Sequence, residues 1–186
     1  SNLVTITDRP TSLKTRFRAG SQQILRVDDE ITSDINTTAA EQFSKYALPA
    51  IQNADLVVLS DYAKGALPLL LLEKIIAHAK VKGKMIIADP KRADILAYAG
   101  VDLLTPNLAE LQNTTHQMLS SIEAIGHAAT ALAKEFGIGS VLTTMSARGM
   151  MLSKADGAQF HDPASARDIF DVSGAGDTVV AMIAGA

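Results

Sequence analysis

The hydrophobic pattern changes character along the chain. Leu13 to Arg18 and Ile24 to Asp28 read as two short strands joined through Ala19-Gly20-Ser21-Gln22, where glycine suits a turn, so a β-hairpin is predicted. Beyond it, strands alternate with helices. A helical stretch from Thr38 to Gln52 leads to the apolar run Asp55 to Ser60, which reads as a strand buried on both faces. A helix from Pro68 to Val81, with proline near its start, precedes a strand from Lys84 to Ala88 that ends at Asp89-Pro90-Lys91. A short helix from Asp94, a strand from Val101 to Thr105 and a helix opening at Asn107 follow in the same order. Ser121 to Phe136 is a longer helix stopped at Gly137, Ser140 to Met145 is a strand, and Met150 to Leu152 with Gln159 to His161 form short antiparallel strands. Repeated β-α units predict a mostly parallel sheet covered by helices, with ligands at the carboxyl ends of the strands. The last stretch, Gly174 to Ala186, reads as a helix without a stop signal, and the expectation is a domain incomplete at both ends.

Composition narrows this picture. With 186 residues, 47% of them hydrophobic, the chain is large enough for one domain with a sizeable core. Cysteine is absent, which excludes disulfides, thiolate metal sites and a cysteine nucleophile, and makes the cytoplasm the simplest location. The apolar stretch Ala66 to Leu72 is interrupted by Pro68 and falls far short of a membrane span. A net charge of −3 gives no reason to expect nucleic acid or a membrane surface as partner. Locally, Arg9, Lys14, Arg16, Arg18 and Arg26 face only Asp8 between Ser1 and Val27, a positive field that suits a phosphorylated ligand and equally a solvated strand face. The four histidines are scattered without metal-ligand spacing.

The densest chemical signal is Asp171-Val172-Ser173-Gly174-Ala175-Gly176-Asp177-Thr178, a glycine-rich turn running straight into an apolar helix. Glycines let a backbone approach an anion closely, and the first amides of a helix have no internal partner and point partial positive charge outward. Such a turn is a cradle for phosphoryl oxygens. Asp177 would project its carboxylate into the same space and take the proton of an attacking hydroxyl; an acid that merely favours the helix dipole fits the same spacing. In Thr105-Pro106-Asn107-Leu108-Ala109-Glu110, proline ends a strand, Asn107 caps the next helix and Glu110 follows three residues later, which is also the pattern of a plain capping box. Val141 to Gly149 is a strand leading into a turn, with no function required of it when taken alone.

Together these segments resemble the PfkB, or ribokinase-like, family of carbohydrate kinases. Asp171 to Asp177 is similar to the family's second signature, which implies that Gly174, Ala175 and Gly176 form an anion hole and that Asp177 is the catalytic base; Met182 departs from the pattern's alanine or glycine. Asn107 to Glu110 resembles the family's Asn-x-x-Glu motif, which implies that Asn107, Leu108, Ala109 and Glu110 face the nucleotide and that Asn107 and Glu110 organise Mg²⁺, largely through water. Thr144, Ser146 and Gly149 fall on the nucleotide-facing strand and loop, with Ser146 where the family usually has glycine. The fold implied is α/β: a ribokinase-like three-layer sandwich with a mostly parallel central sheet and a small β lid. Residues 1–30 would supply the lid hairpin and strand region, and 31–186 the α/β core with the nucleotide site.

The stretches Pro10 to Arg16, Gln22 to Asp28, Leu59 to Leu67 and Asp89-Pro90-Lys91 resemble the branch of the family that phosphorylates heptose 7-phosphate. That resemblance implies transfer from ATP to the anomeric hydroxyl of D-glycero-β-D-manno-heptose 7-phosphate, giving the 1,7-bisphosphate used for ADP-heptose and lipopolysaccharide core synthesis; in bifunctional relatives an adenylyltransferase domain follows. A phosphorylated sugar would give Lys14 and Arg16, at alternate positions of one strand, and Lys64 a common ligand. A homodimer formed through the hairpin is also implied. The alternatives are a kinase of the same fold for another sugar, a non-catalytic nucleotide-binding module, and a dinucleotide-binding oxidoreductase. Against the last, Gly174-Ala175-Gly176 lies at the wrong end of the chain and lacks the following glycine and ribose-binding acid.

Overall fold

The structure, a computed structural model, describes residues 3–20, 22–92, 94–165 and 174–186. Asp171, Val172 and Ser173 of the glycine turn lie outside the described residues, as does Ser21 of the hairpin turn. Leu13–Ala19 (β1) and Gln22–Asp29 (β2) pair antiparallel as a sheet of their own, with Arg16 opposite Arg26 and a register shift between Phe17 and Arg18.

The rest is built on a six-stranded sheet whose strands lie in chain order: Leu56–Ser60 (β3), Met85–Asp89 (β4), Leu103–Leu104 (β5), Ser140–Thr144 (β6), Met150–Lys154 (β7) and Gln159–Asp162 (β8). The first four are parallel and the last two antiparallel additions. Helices Thr37–Asn53 (α1), Leu69–Val81 (α2), Leu108–Thr115 (α3) and Ile122–Glu135 (α4) precede or link the parallel strands, and Ala175–Ala184 (α5) ends the chain's regular structure. Their starts follow local chemistry: Asn36 and Ser121 accept from the amides of Ala39 and Ala124 at the mouths of α1 and α4, and Pro68 stands just before α2.

Period-two alternation sends strand side chains to opposite faces. Leu59, Ile86, Ala88, Leu104 and Val141 join a core with α1, α2 and α4, where Leu72, Ile75, Ile125 and Leu132 are buried. Each buried leucine, isoleucine or valine among them contributes about 1.5–3 kcal/mol on burial. On the opposite face Ile87 and Leu103 meet Val180, with Ile183 of α5 alongside. Helices thus cover both faces. The expectation that residues 55–60 are buried on both faces is corrected: among the described strands β3 is an edge, Leu59 is buried against the helices, and Val58 on the α5 face is 40% exposed.

The hairpin is exposed along its length except at Asp28. Its base is held by Arg9, whose guanidinium donates to the carbonyls of Ser33 at 2.8 Å, Ile31 at 2.9 Å and Lys64. There Gly65, at φ +71, packs so closely that a Cβ would lie 1.9 Å from the Ser33 carbonyl oxygen, so only glycine fits. The positive field predicted for the N-terminal stretch is also corrected. Acids just beyond Val27 offset part of it: Arg26 meets Asp28 at 2.9 Å, while Lys14 meets Asp28 at 3.2 Å and Glu30 at 3.5 Å. Among the described residues, no helix is long and apolar enough to cross a membrane.

Candidate active site

The carboxyl ends of β3, β4 and β5 lie side by side, and the segments leaving them meet the mouths of α3 and α5 around a cleft of about 830 Å³. Just beyond β3 the chain alternates. Asp61 turns into the core and is 2% exposed, accepting from the Tyr98 hydroxyl at 2.7 Å, Arg92 Nε at 2.6 Å and the Ala63 amide at 2.8 Å. Burial and the Asp61 carboxylate push the Tyr98 phenol's titration up. A buried charge held by three donors fixes the loop that carries its neighbour Tyr62 outward into the cleft.

Tyr62 is 50% exposed and its hydroxyl donates to both oxygens of Asp177, at 2.9 Å to Oδ1 and 3.0 Å to Oδ2. Asp177 sits in the first turn of α5, exposed, with Gly174, Ala175 and Gly176 beside it on the cleft wall. No ion pair among the described residues involves it. Gly174 enters the helix at φ +77, and among the described residues no side chain accepts from the first amides. The described part of the glycine turn is therefore an open helix mouth with a carboxylate at its rim.

Across the cleft, Asn107, Leu108 and Ala109 form the mouth of α3. The capping box is real: Asn107 Oδ1 accepts from the Glu110 amide at 2.9 Å, and Glu110 Oε2 accepts from the Asn107 amide at 2.8 Å. Asn107 pairs with Thr144 through an isolated parallel bridge, and the Thr144 amide donates to the Pro106 carbonyl at 3.0 Å, which brings β6 to the same wall. The turn after β6 closes through the Met145 amide and Gly149 carbonyl at 2.8 Å, leaving Thr144, Ser146 and Gly149 along the cleft. At Gly149, φ +84, a Cβ would stand 2.0 Å from the Asp162 carbonyl oxygen.

Like Tyr62, two further residues not predicted as site residues join them. Asp89 ends β4 with its side chain 6% exposed, and Lys91 places its ammonium 3.1 Å from Asp89 Oδ1 and 3.1 Å from Glu110 Oε1. Glu110 thus meets the cleft through Lys91. Burial raises Asp89 above the usual carboxylate range despite Lys91 beside it. Burial works against the charge on Lys91 too, but Glu110 and Asp89 outweigh it and its titration is raised. The signal in the sequence was Asp89-Pro90-Lys91 at a strand's carboxyl end, which is where this class of sheet gathers ligands.

The oxygens of Asp89 and Glu110 converge on one cation-sized position, filled here by an ammonium. Mg²⁺ takes oxygen donors, often one or two carboxylates with waters and substrate phosphates, so this donor set fits it. Asn107 Oδ1 and Glu110 Oε2 both serve the α3 capping box, and Glu110 Oε1 is the oxygen that faces Lys91. The three basic residues predicted for a sugar phosphate lie elsewhere. Lys14 and Lys64 converge on Glu30, while Arg16 stands on the exposed hairpin, and none of the three lines the cleft.

The description "pfkB family carbohydrate kinase" matches residues 1–186. The bifunctional protein HldE of Paramagnetospirillum magneticum is 44% identical over 178 residues, which are 96% of this chain and 36% of that protein; the chain therefore spans little more than a third of that relative's length. Among solved structures, the tetrameric inhibited form of phosphofructokinase-2 from Escherichia coli matches with a TM-score of 0.75 at 18% identity, over 95% of this chain and 58% of that one. The ribokinase of Arabidopsis thaliana complexed with ribose and ATP matches with a TM-score of 0.63 at 20% identity, over 87% and 53%. At these identities the solved structures speak for the fold alone, which is ribokinase-like.

Proposed function

Because this chain belongs to the pfkB family of carbohydrate kinases, we propose that it carries the transfer site of an ATP-dependent sugar kinase. The observation that carries this reading is one cleft in which the Asp177 carboxylate stands at the mouth of α5, across from Asn107, Thr144 and Gly149. The amides of Gly174, Ala175 and Gly176 serve as the anion hole for the transferring phosphoryl group, and Asp177 accepts the proton of the attacking hydroxyl. Asn107, Leu108, Ala109, Thr144, Ser146 and Gly149 hold the nucleotide, with Glu110 behind them. Asp89 and Glu110 would hold Mg²⁺, with Lys91 shifting toward the phosphates. The ion, when bound, supplies positive charge against the nucleotide's phosphates. No covalent enzyme intermediate is required.

For the acceptor we propose D-glycero-β-D-manno-heptose 7-phosphate, phosphorylated at its anomeric hydroxyl. The four stretches that resemble that branch support it, as does 44% identity to a protein called HldE. Lys14, Arg16 and Lys64 then take the 7-phosphate, which must compete with Glu30 for two of them. The hairpin closes over the sugar as a lid, and two copies pair through it, covering Leu13, Phe17 and Ile24, which are more than half exposed. Residues 31–186 act as the nucleotide-binding core. A cytoplasmic setting supplies ATP and suits a chain without cysteine. Release of ADP by the complete protein, measured with the heptose 7-phosphate, with other sugar phosphates and with unphosphorylated sugars, tests the assignment. Heptose 7-phosphate should give the highest kcat/KM; another sugar exceeding it removes the acceptor assignment but not the kinase one, and no ADP release with any acceptor removes both.

A further inference from the structure

We propose that Tyr62 guards the transfer base: its hydroxyl stands where an acceptor hydroxyl must donate to Asp177, keeps water from that place, and yields to a sugar that displaces it. The inference rests on the kinase reading of the cleft. A general base works on a hydroxyl within about 2.6–3.2 Å, and the Tyr62 oxygen already lies 2.9 Å and 3.0 Å from the two carboxylate oxygens. One hydroxyl facing both oxygens takes the direction from which an incoming hydroxyl would approach. Tyr62 stays a hydroxyl, because the hydrogen bond to Asp177 pushes its phenol above an ordinary tyrosine.

The mounting suits a part that moves. Asp61, buried and held by Tyr98, Arg92 and the Ala63 amide, fixes the backbone on one side of Tyr62. The ring itself is 50% exposed, so it can swing aside without opening the core. Exclusion of water matters because the same geometry that moves a phosphoryl group to a sugar can move it to water. A water in the place of the Tyr62 hydroxyl would give its proton to Asp177 and attack the γ-phosphorus, breaking the bond to the β,γ-bridging oxygen and releasing ADP and inorganic phosphate. With a sugar hydroxyl there, the same bonds form and break and the phosphoryl group stays on the sugar.

Tyr62→Phe in the complete protein keeps the ring and leaves room for one water beside the carboxylate. Without acceptor, ADP release should rise about tenfold, the scale of one hydrogen bond to a charged group, and the acceptor KM should stay level or fall. A merely structural tyrosine would not uncouple hydrolysis from transfer. Unchanged acceptor-free ADP release, or a raised acceptor KM, overturns the proposal.

Absorbance titration of tyrosinate supplies a readout free of turnover. Asp177→Asn should let one tyrosine ionise at lower pH, and the double variant Asp177→Asn, Tyr62→Phe should lose that tyrosine's signal. Asp89, which delays the ionisation, and Lys91, which advances it, also face Tyr62 and are unchanged in both variants. A titration that Asp177→Asn does not move also overturns the proposal, while leaving the kinase reading to its own test. Transfer that survives Asp177→Asn sinks the base assignment and this proposal with it.

Discussion

Two helices open onto the same cleft, and they do so in opposite ways. At α3 the protein has closed its own mouth: Asn107 and Glu110 satisfy each other's amides at 2.9 Å and 2.8 Å. At α5 the chain enters through Gly174 at φ +77, with no side chain among the described residues accepting from the first amides. Both ends carry the partial positive charge of a helix N-terminus, roughly half an elementary charge. The box answers two of the amides at α3, whereas among the described residues α5 has no such box, and it is there that Asp177 stands. The closed mouth is a wall with a charged back, Glu110 reaching Lys91 and through it Asp89; the open mouth is a receiving site.

Substitutions that act on one mouth and not the other can break this contrast. Leaving Asp177 itself aside, the largest effect should come from Gly176→Ala. No atom of the described residues lies within 4 Å of the added methyl and φ is not left-handed there, so thermal stability should hold or rise by about 0.5–1 kcal/mol, as alanine favours a helix. The methyl intrudes on approaching phosphoryl oxygens, so kcat/KM should fall about 100-fold, the scale of losing one preorganised donor. Stability and activity falling together would mean that the glycine serves packing instead. Glu110→Gln acts on the closed mouth: glutamine can still complete the box, so unfolding free energy should move by less than about 0.5 kcal/mol. The charge facing Lys91 is lost, and the Mg²⁺ concentration for half-maximal activity should rise about tenfold. If the Mg²⁺ requirement does not move, Glu110 is a cap and no more. The smallest effect concerns Ser146, which sits at φ +54 where this family usually has glycine. Relief of about 1 kcal/mol of left-handed strain, less the extra freedom of glycine when unfolded, should leave Ser146→Gly more stable by a few tenths of a kcal/mol. A lower melting temperature would instead assign the Ser146 hydroxyl a structural bond.

The two mouths were legible in the sequence because each is local. Gly174 to Asp177 and Asn107 to Glu110 carry their geometry in a few consecutive residues, and so does the hairpin around Gly20. What escaped was convergence. Tyr62, Asp89 and Lys91 meet Asp177 and Glu110 only because β3 and β4 are neighbours in the sheet and α5 packs against β4, and strand order is not written in any one segment. The reading of residues 55–60 failed for the same reason, since an apolar run does not announce that it forms an edge. The N-terminal field was misjudged at its boundary: Asp28 and Glu30, just past the basic stretch, take up Lys14, Arg26 and Lys64.

The central claim is that the carboxylate at the open mouth of α5 takes a proton during phosphoryl transfer. Asp177→Asn in the complete protein, with kcat measured at saturating substrates and ATP binding measured by calorimetry, tests it most directly. The account predicts a fall in kcat on the order of 10²–10⁴-fold with ATP affinity nearly unchanged. A variant that keeps most of its kcat would contradict it.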